Sequence, residues 1–131
     1  MTVRALLFTD VVDSTRMIAH VGDARATEIW AEHDRRSRDL LAHHRGREIG
    51  RGDGFFLLFD DPADAACYAL AYHHALADLA LTARAALHVG PVALRENAPA
   101  DIARGAFGTE VHGVAMSVTA RVMALARGGQ T

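Results

Sequence analysis

At 131 residues the chain has room for one domain with a substantial core and too few residues for two. Half of it is hydrophobic and its formal net charge is −2, so it lacks the global basic field of a nucleic-acid binder. No apolar run approaches the roughly 20 residues that span a bilayer, and Asp10 interrupts the first apolar stretch too early for a secretory signal.

Thr2 to Thr9 is apolar and β-prone, the pattern of a strand buried on both faces, and it is predicted to end at Asp10. Asp13-Ser14-Thr15 then offers helix-capping side chains ahead of Met17 and Ile18. After a break at Val21-Gly22-Asp23, a long helix is predicted from about Ala24 to His44. Ala26, Ile29, Trp30, His33, Ser37, Leu40, Leu41 and His44 recur along it at helical spacing, with Arg35, Arg36, Arg38 and Asp39 on the solvated side. Gly46 to Phe59 reads as a hairpin in which Arg47 to Arg51 lead in, Gly52-Asp53-Gly54 turn, and Phe55 to Phe59 lead out.

Asp61 and Pro62 suit the N-cap and first position of another helix, with Ala63, Ala66, Cys67, Leu70, His74 and Ala77 as its expected inner stripe. Cys67, the single cysteine, excludes an internal disulfide framework, fits a reducing cytoplasm and is expected to be buried. Thr82 to Val92 has strand character, with Ala85, Leu87 and Val89 on one face. Leu94 to Gly108 reads as an exposed loop, and a last helix is predicted from about Gly113 to Ala126. The order implies one α+β sandwich over residues 1–131, with helices on one face of a mostly antiparallel sheet. Gly128 to Thr131 fall where a further strand is expected, which suggests a C-terminally truncated domain.

Asp10 closes a strand and Asp53 sits in a tight turn between glycines. Either aspartate alone is more often a turn or capping residue than a ligand. Were the hairpin to lie beside the first strand, however, both carboxylates would project from one sheet edge. Two hard oxygen ligands suit Mg²⁺ or Mn²⁺, which take their remaining oxygens from substrate phosphates and water. The segment Val11 to Thr15 enters a helix, so its free N–H groups could receive phosphate oxygens. The pairs His43-His44 and His73-His74 point about 100° apart on their helices, so neither chelates a metal by itself.

The blocks FTDVVDST (8–15), GREIGRGDGFFLLFDDPADA (46–65), ARAALHVGPV (83–92) and HGVAMSVTARVMALA (112–126) resemble, in order and spacing, the class III adenylate and guanylate cyclases. The resemblance covers nearly the whole chain. It implies a ferredoxin-like α+β fold, a head-to-tail homodimer with active sites across the interface, and conversion of ATP to cyclic AMP and pyrophosphate, with GTP as the alternative substrate. By the same resemblance Asp10 and Asp53 bind Mg²⁺ or Mn²⁺ together with the backbone at Val11. Val12, Asp13, Ser14 and Thr15 hold phosphates, and Arg121 stabilises transition-state charge.

The chain departs from the family pattern in three places. The family's base-reading lysine is missing, since the chain contains no lysine at all, and Arg51 is the nearest cation. The partner aspartate of adenylate cyclases is Glu110. The transition-state asparagine is Ser117, one helical turn from Arg121. The alternative to an active cyclase is a degenerate module of the same fold that binds nucleotide or dimerises as a regulatory domain.

Overall fold

The first strand, β1 (Thr2–Val12), runs through the middle of a five-stranded sheet. Its neighbours follow in the spatial order β2 (Gly46–Arg51), β3 (Phe55–Phe59), β1, β4 (Thr82–Glu96), β5 (Thr109–His112), and every pairing is antiparallel. The computed structural model describes all residues, 1–131. Because β3 lies antiparallel between β1 and β2, these two run parallel around it, the split βαβ arrangement of ferredoxin-like folds. The helices are α1 (Ser14–Val21), α2 (Asp23–His43), α3 (Pro62–Ala75), α4 (Pro99–Ala103) and α5 (Val114–Met123).

The unbroken apolar run of β1 has a direct cause in this layout: both faces of the strand are buried. Ala5, Leu7 and Val11 join Ala26, Ile29 and Leu41 of α2 and Tyr68 and Tyr72 of α3 in the larger core. Leu6 and Phe8 point the other way, into a smaller cluster with Leu58, Val92 and Ala115 of α5. The α+β sandwich is therefore as expected, and α5 adds cover on the second face as well. Arg47 of β2 reaches Thr109 of β5 at 3.3 Å, so the sheet curls far enough to bring its two edges together.

The buried side of α2 (Ala26, Ile29, His33, Ser37, Leu41) is the stripe the sequence predicts. Asp61 caps α3 as expected, its Oδ1 accepting from the Ala63 N–H at 2.8 Å, an interaction of about 1 kcal/mol. The inner stripe of α3 differs. Ala65, Tyr68, Ala69 and Tyr72 are buried, whereas Leu70 is 75% exposed and Cys67 faces solvent. Two tyrosines bring more apolar area inward than any leucine–alanine stripe could, and they set the rotation of the helix. The stretch 94–108 is not a plain loop: β4 continues to Glu96, α4 follows, and β5 then pairs with the end of β4. The last residues lie along β4, where the Gly129 N–H donates to the Ala83 carbonyl at 2.7 Å and the Ala85 N–H to the Gln130 carbonyl at 2.9 Å.

His33 is the polar centre of the larger core, with no exposed surface. Its Nδ1 lies 2.9 Å from Asp34 Oδ1 and its Nε2 2.7 Å from the Tyr72 hydroxyl. A neutral imidazole satisfies both: Nδ1–H donates to the carboxylate and Nε2 accepts from the tyrosine. Burial lowers the His33 pKa, and the opposing pull of the Asp34 carboxylate is smaller. The unfolded chain takes up a proton near the ordinary value of about 6.5 while folded His33 stays neutral. The unfolded state then binds more protons, so this contribution to stability is lost as pH falls below that value. His73, whose pKa is also lowered by burial, adds a slope of the same sign. Thermal melts should therefore show Tm falling from pH 7.5 to pH 5.5. His33→Gln should melt lower at pH 7.5 but with a shallower pH slope, and an unchanged slope would assign the acid sensitivity elsewhere.

Candidate active site

β1 extends two residues past Asp10, so this aspartate lies within the strand and not at its end. Its even register puts it on the face of Leu6 and Phe8. Beside it, the turn between β2 and β3 is fastened to the strand. The Val11 N–H donates to the Asp53 carbonyl at 3.2 Å, and the Phe55 N–H donates to Thr9 Oγ1 at 2.8 Å. Gly54 makes the approach possible: a Cβ there would run into the Thr9 carbonyl and lie 2.7 Å from the Thr9 hydroxyl. These contacts hold exposed Asp53 next to partly buried Asp10 across one seam.

No group of three or more histidine, cysteine, aspartate or glutamate side chains is gathered in a metal-binding arrangement. Asp10 and Asp53 are then the acidic oxygens the seam offers. One exposed and one partly buried carboxylate suit a cation such as Mg²⁺, which keeps several waters and binds through one or two carboxylates plus phosphates.

Past Val12 the backbone turns sharply. Asp13 adopts a left-handed conformation (φ 54°, ψ 38°), which aspartate tolerates better than most residues. The capping side chains expected at this point are not used, for the Asp13 side chain makes no capping bond. The Met17 N–H donates to the Asp13 carbonyl at 3.0 Å, and helix geometry leaves the N–H groups of Ser14, Thr15 and Arg16 without intrahelical acceptors. The turn presents these donors at the positive end of α1. Next to it, Asp10, Val12, Asp13, Arg84 and Arg127 help to line a cleft of about 260 Å³.

Arg84 is a site residue that sequence reasoning missed. It stands directly opposite Asp10 in the β1–β4 register, and its Nε and Nη2 lie 3.1 and 3.0 Å from Asp10 Oδ2. The available signal was the one arginine in the largely apolar stretch Thr82 to Val92, but only the pairing register shows what it faces.

The remaining candidates are spread wider. Arg51 lies on the opposite face: its guanidinium sits 4.6 Å from the Phe55 ring centre and 2.8 Å from the Asp34 carboxylate. Burial would raise the Asp34 pKa, but hydrogen bonds from Arg51 and His33 outweigh it and hold the carboxyl below its usual range. Glu110 pairs with Arg95, its register partner on β4. Arg95 lies eleven residue steps beyond Arg84, which at ~3.3 Å each is roughly 35 Å along the strand. Ser117 and Arg121 are both exposed on the outer side of α5, whose inner side carries Ala115 and Thr119. The structure thus brings Asp10, Val11 and Asp53 together with the Val12–Thr15 turn. It leaves Arg51 and Glu110 away from that cluster and presents Ser117 and Arg121 outward.

No protein-family model matches the chain, and no curated protein matches it either. Solved structures do. An adenylate cyclase from Trypanosoma brucei, described in its monomeric state, superposes with a TM-score of 0.84 at 19% identity, over 97% of this chain and 71% of that one. The guanylyl cyclase Cya2 gives 0.82 at 17% identity, over 97% and 72%. The dimeric guanylyl cyclase domain of the RhoGC fusion protein from the aquatic fungus Blastocladiella emersonii gives 0.78 at 14% identity, over 98% and 77%. The chain therefore has the fold of adenylate and guanylate cyclase domains, which the sequence resemblance implied.

The seam makes one substitution decisive. Gly54→Ala should push the turn off β1 and cost roughly 1–3 kcal/mol, as overpacking of a tight contact does. Gly52→Ala is the control, because a Cβ there meets only the Phe56 ring at an ordinary 3.7 Å. Denaturant unfolding of the two variants should separate them clearly; equal effects would mean that the Gly54 approach is not a constraint.

Proposed function

We propose that the chain is a nucleotidyl cyclase catalytic domain, converting ATP to cyclic AMP and pyrophosphate in intracellular signalling. The observation that carries this reading is the seam, which sets Asp53 beside Asp10 next to the Val12–Thr15 turn, in a fold shared with adenylate and guanylate cyclases. Under it, Asp10, Asp53 and the backbone at Val11 hold Mg²⁺ or Mn²⁺. Bound there, such an ion supplies positive charge for the triphosphate and lowers the pKa of the ribose 3′-hydroxyl. The N–H groups of the Val12–Thr15 turn receive phosphate oxygens. The 3′-oxygen attacks the α-phosphorus in line; the new O–P bond forms as the bond to the pyrophosphate oxygen breaks, and the hydroxyl proton passes to solvent. Arg121 meets the charge that develops, with Ser117 as a short donor one turn away.

A second copy of the chain is the natural partner. Arg121 and Ser117 share the outer side of α5 with Val114 and Val122, 78 and 39% exposed, and Leu125, just past the helix, is 83% exposed. An apolar face of this kind suits an interface, and two-fold pairing would carry one copy's Arg121 to the other's Asp10. No helix is long and apolar enough to cross a membrane.

The second reading is a degenerate module that binds nucleotide or dimerises without turnover. It is favoured by the Arg51–Asp34 and Glu110–Arg95 pairs, which occupy both residues expected to read the base. Incubation with Mn²⁺ and either ATP or GTP, resolving cyclic from linear products, separates the two readings: a cyclic product supports the cyclase, and metal-dependent binding without product supports the module. Asp10→Ala and Asp53→Ala should each abolish Mn²⁺-dependent binding of an ATP analogue in isothermal titration while the fold is retained. Variants that bind like the parent would refute the metal assignment.

Subunit mixing tests the shared site. Asp53→Ala and Arg121→Ala should each be inactive alone. Mixed under exchange conditions, about half the dimers pair one of each, and each mixed dimer holds one intact site, so activity should return to roughly a quarter of the parent's. Mutants shown to exchange but not to recover would place both residues within one chain's site.

A further inference from the structure

We infer that Tyr72 and His33 are positioning residues for the metal site, because with Thr9 and Asp34 they form a hydrogen-bonded circuit that grips both ends of the turn carrying Asp53. The inference rests on the metal assignment proposed above and adds to it buried residues that touch neither metal nor nucleotide.

The turn needs an outside hold. Gly52 and Gly54 flank Asp53, and glycine has no side chain to restrict its own backbone. Asp53 is itself exposed, so packing gives it little restraint. Mg²⁺ demands near-ideal geometry of its ligands, and a turn free to drift would hold such an ion poorly. The residues that bound the turn, Arg51 and Phe55, must supply what the glycines lack.

Both are held, and by one set of side chains. At one end the Phe55 N–H donates to Thr9 Oγ1 at 2.8 Å. The Phe55 carbonyl, 3.5 Å from that oxygen, is too far to hold the Thr9 proton well. The proton is left for Tyr72: burial raises the pKa of the Tyr72 hydroxyl, and a hydrogen bond with the Thr9 side chain opposes the rise. Tyr72 gives its own proton to His33 Nε2 at 2.7 Å, and His33 Nδ1–H donates to Asp34 at 2.9 Å. Asp34 also accepts from the Arg51 guanidinium at 2.8 Å, which closes the circuit on the other end of the turn. Every link from Phe55 onward donates toward the Asp34 carboxylate, and bonds aligned in this way polarise one another. Thr9, Tyr72 and His33 are 1% exposed or less, so water has no ready access to a broken link. The Phe55 ring adds a second hold, stacked on His33 at 6.0 Å with 8° between the planes.

Tyr68 supplies the contrast. It lies one turn earlier on α3 and is as fully buried as Tyr72, but its hydroxyl donates to the Ser37 carbonyl at 3.1 Å, off the circuit.

The test is a Mn²⁺ titration of the whole chain with a non-hydrolysable ATP analogue, followed by electron paramagnetic resonance, beside amide NMR spectra recorded without metal. Tyr72→Phe keeps the ring and removes only the circuit's hydroxyl. It should bind Mn²⁺ about fivefold more weakly, less than the loss of roughly 10–100-fold when a group bonded directly to a metal ligand is removed. It should also shift the Phe55 amide resonance. Tyr68→Phe should melt lower by a similar amount yet keep the parent's Mn²⁺ affinity and Phe55 resonance. A folded Tyr72→Phe with the parent's affinity, alongside an Asp53→Ala that loses binding, overturns the inference and leaves the metal site standing. Equal weakening by the two tyrosine variants means a general loosening of the core and overturns it as well. Mn²⁺ binding indifferent to Asp53→Ala and Tyr72→Phe alike overturns both readings. If Tyr72→Phe does not fold, Thr9→Val and Thr9→Ser make the same comparison. Serine keeps the hydroxyl and should bind Mn²⁺ more tightly than valine, and equal binding by folded variants refutes the circuit.

Discussion

The close approach of the β2–β3 turn to β1 is the constraint on which the rest of this molecule depends. Two hydrogen bonds and a glycine with no room for a methyl group hold the seam. Buried Thr9 lends both its carbonyl and its hydroxyl to that contact. Because the Asp53 carbonyl accepts from Val11, the residue after Asp10, the two carboxylates are linked through main chain. Main chain moves less freely than side chains, so the spacing of the pair is a property of the sheet.

The hairpin is held from its other face too. Arg51, at the end of β2, lies over the Phe55 ring and pairs with Asp34, which in turn meets His33 and through it Tyr72. This chain of polar contacts ties the hairpin to α2 and α3 inside the larger core. A fully satisfied polar network of this kind favours a single packing arrangement, because each alternative strands a buried donor or acceptor. The arrangement uses Arg51 for structure. A residue engaged by a sheltered carboxylate and an aromatic ring is poorly placed to read a nucleotide base as well.

Where the sequence could be read, one local signal was strong enough to survive any packing. The Gly-Asp-Gly turn, the Asp61-Pro62 helix start, the two-faced apolar run of β1 and the large side chains along α2 are of this kind, and all reappear in the structure. The misreadings share a different cause. On α3 the alanines fit almost any stripe, and Tyr68 and Tyr72, whose hydroxyls find partners inside, decide the rotation. α4 and β5 have five and four residues, too short to carry a periodic pattern, and β5 exists through its pairing with the end of β4. Asp10 stood out as the one acid in the apolar run of β1, and the turn that carries Asp53 was legible because turn chemistry is local. The partnerships of Arg84 and Arg51 were not, since each requires a register or a helix position that only the folded sheet sets.

The long strand β4 explains why one copy of the chain does not gather every candidate residue. Its first half pairs with β1 and brings Arg84 to Asp10; its far end pairs with β5 and carries Arg95 and Glu110 away. A stiff strand cannot bring its two ends to one point. α5 crosses the same face of the sheet, buries Ala115 and Thr119, and turns Ser117 and Arg121 outward. A residue aimed out of its own domain can complete a site only on another surface. Under the proposed function that surface is the seam of a second copy, and its own outward residues answer in return, as two-fold symmetry requires. Metal and phosphate contacts then belong to one copy's sheet, and base and transition-state contacts to its partner's β5 and α5. Neither copy could turn over nucleotide alone, so any regulator that changed how two copies meet would control the reaction without touching Asp10 or Asp53.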